Sequence, residues 1–128
     1  MLWPKGPTRR ARKQATAVAE AARMAAVRRQ VMQRERYHCR VGRWGVTQAL
    51  FGECSGPLEW AHWGRYRRFL TRGWDPDARH CPAGSVCLCD RHHDDYDATR
   101  LAITALTPRE CDGRLRFSRQ GVEWEEPE

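Results

Sequence analysis

Apolar and polar positions along this chain change period three times, and each change predicts an element. From about Arg9 to Arg36 the sequence is mostly Ala, Arg, Gln, Val and Met without Gly or Pro, which favours a single helix. Val18, Ala21, Ala22 and Ala25, with Met24, Val27 and Val31, form a weak stripe at helical spacing, and Arg occupies the other faces. The pattern predicts a basic helix with one side on the core. Leu58-Glu59-Trp60-Ala61-His62 reads as a short strand, and Val86-Cys87-Leu88-Cys89 as a second strand that runs into a helix through Asp97. Between them Gly64 to Ser85, rich in Arg, Asp, Gly and Pro, reads as one long loop, and such loops inside a small domain tend to be functional.

The two ends read differently. Met1 to Thr8, with Pro4, Gly6 and Pro7, is expected to be extended or disordered. In the tail, Leu101, Ile103 and Ala105 share one face of a strand. Thr107-Pro108-Arg109-Glu110 has capping residues for one helical turn, with Gly113 after it. Arg114 to Ser118 and Val122 to Glu126 are expected to pair as a hairpin across Arg119-Gln120-Gly121, with the acidic end Glu123, Glu125, Glu126 and Glu128 solvated. The expected divisions are residues 1–36, a basic arm and helix; residues 37–100, which carry the chemistry; and residues 101–128, an accessory hairpin and tail.

Composition narrows what such a chain does. At 128 residues, 41% hydrophobic and 30% charged, it has room for one thin core that a bound metal would help to hold. Residues 1–36 contain ten Lys or Arg against two Glu, so the excess positive charge of the whole chain lies in that arm. Arg9, Arg10, Arg12 and Lys13 lead it, and phosphate neutralisation is the natural use. The arm has no Trp, Phe or Leu face to insert into a bilayer after Trp3, so nucleic acid is the expected partner rather than a membrane. No apolar run forms a signal peptide or a span. The six Cys are therefore expected to be reduced thiols of a cytoplasmic protein.

Metal chemistry is the remaining signal. Cys89 and His92 make a C-x-x-H pair on one helical turn and need two more ligands for a closed tetrahedron. Cys39 and Cys54 lie in turn-rich sequence that can fold two thiolates toward one ion, with Cys81 or Cys87 as substitutes for Cys54. His93 and Asp97 stand four residues apart, on one face of the presumed helix. Arg65, Arg67, Arg68 and Arg72 follow His62 in the loop, with guanidinium forks suited to phosphate oxygens.

These segments resemble HNH endonucleases, the ββα-metal (His-Me finger) nucleases common in phages and prophages, over roughly residues 36–98. The likeness rests on Leu58 to His62, on Arg72-Gly73-Trp74-Asp75-Pro76-Asp77, and on Leu88-Cys89-Asp90-Arg91-His92-His93 followed by Tyr96-Asp97. It implies an α+β fold: a small ββα-metal core with a long basic N-terminal helix and a C-terminal β region. It also implies hydrolysis of DNA phosphodiester bonds in a bacterium or phage-infected host. His62 would be the general base, and His93 with Asp97 would bind a catalytic magnesium or manganese ion. Cys39, Cys54, Cys89 and His92 would bind structural zinc.

The chain departs from the family pattern at three points. Ala61 stands where many members place a metal-binding Asp or His. Gly42 replaces the usual partner of the first Cys. The middle Asn has no match: Ala78, Gly84 or Ser85 stands there, and His80 is the nearest side chain with comparable hydrogen-bonding ability. The second expectation is therefore a zinc-stabilised nucleic-acid-binding module without catalysis.

Overall fold

The computed structural model describes Gly6 and residues 8–128; the opening segment expected to be extended or disordered lies mostly outside the described residues. Helix α1 spans Arg9–Arg34, and the Thr8 hydroxyl caps it by accepting from the Ala11 N–H at 3.1 Å. The predicted apolar stripe is only half used. Val18 is 69% exposed, and Ala21, Ala22 and Ala25 are also exposed, whereas Val27, Val31 and Met32 are buried. Alanine offers too little area to anchor the first half, and the buried stripe begins at Val27.

Short helix α2 (Gly45–Phe51) leads into strand β1 (Leu58–His62), which pairs antiparallel with β2 (Ser85–Cys89) in a register that sets His62 against Ser85 and Leu58 against Cys89. All five residues of β2 are buried. Cys87 meets Val27, Val31 and Met32 of α1, while Val86 and Leu88 join the main core. Helix α4 (Asp90–Asp97) follows β2 directly, so two strands and a helix form the centre of the molecule.

The segment expected to be one long loop is more ordered than that. It contains a 3-10 turn at Gly64–Tyr66, helix α3 (Pro76–Arg79) and another 3-10 turn at Pro82–Gly84. Arg23 donates to the His80 carbonyl at 3.0 Å, and Arg34 donates to those of Pro82 and Ser85 at 2.7 Å each. Two guanidinium groups of α1 thus hold a stretch too polar to fold by its own burial.

Strands β3 (Ala102–Ala105), β4 (Leu115–Arg119) and β5 (Val122–Glu125) form a second antiparallel sheet in sequence order. The hairpin turn has two residues, Gln120 and Gly121, not three; both have positive φ, as a tight hairpin requires. The helical turn falls at Glu110–Asp112, later than the capping residues suggested. Leu101, Ile103, Leu115 and Phe117 enter the same core as Val86 and Leu88, so this tail completes the core rather than adding to it.

One expectation for the tail is wrong. Glu126 is buried, not solvated: its carboxylate accepts from Arg40 Nε and Nη2 at 2.7 Å each, and Arg40 Nη1 donates to buried Glu35 at 2.8 Å. Glu125 pairs with Arg116 at 2.7 Å. A buried arginine needs carboxylates around it, and a local reading of charge cannot find partners so far apart in sequence.

Candidate metal centre and histidine cavity

Four side chains from three places in the chain converge at one end of the β1–β2 pair. Cys39 follows α1, Cys54 follows α2, Cys89 ends β2 and caps α4, and His92 lies in the first turn of α4. Their ligand atoms all lie within 4.8 Å of one another. The three sulfurs are 3.3, 3.8 and 3.2 Å from His92 Nδ1. Tetrahedral zinc, with bonds of about 2.3 Å to sulfur and 2.0 Å to nitrogen, sets such edges at about 3.5 Å. His92 Nε2–H donates to the Gly52 carbonyl at 2.9 Å, which leaves the Nδ1 lone pair facing the sulfurs.

Gly42 explains how this set closes without a Cys at that position. A Cβ there would lie 1.9 Å from Cys54 Sγ, so the glycine leaves the space that the Cys54 sulfur fills. Cys54 therefore reaches across an insertion to do what a nearer thiol would have done. Cys81 and Cys87, the substitutes considered, lie outside the cluster. Burial pushes the Cys39 thiol up, and burial followed by the neighbouring sulfurs raises Cys54. An ion must therefore displace protons to bind, and occupancy falls as pH is lowered. The Cys3His cluster can hold a structural metal such as zinc.

The other end of β1 opens on a cavity of about 490 Å³, whose lining includes His62, Arg67, Arg68, Phe69, His93 and Asp97. His93 is held from the rear: its Nδ1–H donates to Glu59 Oε2 at 2.7 Å, and its Nε2 lies 3.4 Å from Asp97 Oδ2. A carboxylate behind one ring nitrogen and a free nitrogen in front beside a second carboxylate is a donor set that fits a divalent ion. Glu59 escaped the sequence reading, although its alternation with Ala61 on β1 puts both on one face of the strand.

His62 lies against Trp60, with ring centroids 4.5 Å apart, but not against Trp63, whose Nε1–H donates to the Ile103 carbonyl at 2.7 Å. Burial lowers its pKa to about 4, with His80, Arg79 and Arg68 adding to the effect. His62 is thus neutral at physiological pH. Its Nε2 is 2.9 Å from Nδ1 of buried His80, whose Nε2 is 2.8 Å from Glu20 Oε1 on α1. His80 was singled out as a stand-in for an absent Asn, and it does touch His62. Glu20 was not foreseen, since nothing local links it to a residue sixty positions on.

The remaining predicted residues divide. Ala61 is buried and offers no ligand. Gly84 cannot carry a side chain, because a Cβ there would lie 2.3 Å from the Tyr66 ring. Arg67 and Arg68 line the cavity, with the Arg67 guanidinium stacked 4.3 Å over Tyr96. Arg72 lines an adjoining depression with Arg68 and Arg79. Arg65 faces elsewhere, covering Tyr66 and pairing with Glu110 at 3.1 Å. Arg9, Arg10, Arg12 and Lys13 are exposed on the first turns of α1.

Fold and site together define a small α+β protein with a metal-competent Cys3His cluster at one end of a strand pair and an open histidine cavity at the other. No protein-family model, curated protein or solved structure matches the chain. No described helix is long and apolar enough to cross a membrane.

Proposed function

We propose that the protein is an HNH-type endonuclease of the ββα-metal class, hydrolysing DNA phosphodiester bonds, with zinc in the Cys3His cluster as a structural element. The observation that carries the reading is the shared cavity: neutral His62 from the end of β1 and His93 with Asp97 from α4 all line it. His62 accepts a proton from the attacking water, for which a neutral imidazole is required. His93 and Asp97 hold a magnesium or manganese ion, with Glu59 fixing the His93 ring. When bound, that ion supplies charge for a phosphate oxygen and for the leaving oxygen. Arg67 and Arg68 at the rim hold the scissile strand, and Arg72 extends this contact. Arg9, Arg10, Arg12 and Lys13 bind the backbone further away, with weak sequence preference because none of these contacts reads a base.

Nicking of supercoiled plasmid tests this. Cutting is expected with magnesium or manganese, none with chelator, and none for His62→Ala. Cutting that survives His62→Ala overturns the mechanism. One feature favours a second reading. Ala61 leaves only His93 and Asp97 as side-chain ligands at the cavity, as a zinc-stabilised nucleic-acid-binding module without catalysis would have. Retained DNA binding with no cutting under any metal selects that reading.

A further inference from the structure

Resting on the nuclease reading, we propose that Glu20 and His80 are positioning residues that fix the His62 tautomer, so that Nδ1 of His62 is the nitrogen that takes the proton. Two contacts place the hydrogens one by one. Glu20 is held below the ordinary carboxylate range, chiefly by its hydrogen bond with His80, with Arg79 and Arg68 adding to it. An ionised carboxylate only accepts, so across the 2.8 Å contact the hydrogen is on His80 Nε2. In the proposed relay His80 carries that hydrogen and no other, so its Nδ1 presents a lone pair. Across the next contact, 2.9 Å long, His62 Nε2 must donate. One nitrogen of His62 is left with a lone pair, Nδ1, and it has no partner among the described residues.

His80 is well placed to impose this. Its ring is buried, its carbonyl is held by Arg23 at 3.0 Å, and Trp60 lies 5.8 Å from it, centroid to centroid. When His62 takes a proton at Nδ1, its Nε2–H keeps the His80 lone pair as acceptor and the ring keeps its orientation. No second proton has to move. Orientation of a base by a carboxylate through a hydrogen-bonded partner is part of the general logic of catalytic triads. Here the carboxylate comes from the helix whose first turns carry the basic arm.

The tautomer can be read without any assay of cutting. Two-bond ¹⁵N–¹H correlation spectra of the zinc-loaded full chain at neutral pH are expected to show His62 protonated at Nε2 and bare at Nδ1. Glu20→Ala removes a half-exposed side chain, so folding is expected to survive; it should leave His62 as a mixture of tautomers. It should also lower kcat for plasmid nicking about tenfold with KM for DNA unchanged, and Glu20→Gln, which keeps an acceptor oxygen, should recover most of both losses. The relay alone is overturned if the wild type cuts while His62 carries its hydrogen on Nδ1. It is equally overturned if Glu20→Ala leaves both tautomer and kcat as they were, or changes KM alone. A wild type that cuts nothing under any metal overturns the nuclease reading itself, whatever the tautomer.

Discussion

The two ends of the β1–β2 pair are built from neighbouring residues and behave as opposites. His92 and His93 are adjacent on α4, yet His92 is fully buried among three sulfurs while His93 faces an open cavity. Successive residues on a helix point about 100° apart, so one turn of α4 serves both ends. Each imidazole has one nitrogen pinned from behind, His92 by the Gly52 carbonyl and His93 by the Glu59 carboxylate. What differs is the number of protein ligands in front. Four closing donors make a site for holding the fold; two donors beside an open space make a site that leaves room for water and substrate. On the proposed reading a single helix turn separates stability from chemistry, and substitutions should separate them too.

The largest effect is expected at the closed end. Cys89→Ser removes a thiolate ligand while its hydroxyl can still cap α4, and stripping the metal with a strong chelator empties the site without mutation. Structural zinc contributes on the order of 10 kcal/mol in small domains, comparable with the whole stability of a protein of this size. Circular dichroism melts should show loss of the cooperative transition; an unchanged melt after complete metal removal would mean the cluster does not hold the fold together. Next is the open end. His62→Ala should lower kcat for nicking by about 10²- to 10⁴-fold while the melt stays near wild type, the reverse of Cys89→Ser. A fall in stability matching the fall in rate would blur the division.

Gly42→Ala is a smaller perturbation of the closed end. The new methyl must displace Cys54 Sγ, and overpacking of this kind costs about 1–3 kcal/mol. Urea titration beside Gly45→Ala, where a Cβ meets nothing within 4 Å, isolates the steric term. Equal stability of the two variants would contradict the account of how Cys54 is seated. The mildest test is pH. His62 must be neutral to accept a proton, and its pKa lies at about 4. Since kcat/KM reports the free enzyme, it should stay flat as pH falls below 6.5 and drop only near 4, with zinc content followed in parallel because protons also compete for the thiols. An acid limb at the ordinary histidine value would show that His62 is more solvated than its surroundings imply.

Much of this was legible in residue order, and what was not has a common cause. β1, β2 and α4 have strong local signals, and the Cys89–His92 spacing is a property of one helical turn. Cys39 and Cys54 were legible as suppliers, but not how they meet, because the space at Gly42 exists only once both loops are folded. The exposed first half of α1 was misread for a similar reason: periodicity indicates which face is apolar, not where along the helix the core begins. Glu20 and Glu59 are the omissions, and Glu126 the misreading. Each is an acid whose partner, His80, His93 or Arg40, lies 60, 34 or 86 residues away.

The last of these separations makes Arg40 a rivet between two parts of the chain. Its guanidinium stands one residue after Cys39 and holds Glu126, 86 residues on, so the loop that supplies the first sulfur of the cluster is fastened to the residue that follows β5. The cradle is thereby coupled to the second sheet through a side chain that is no ligand.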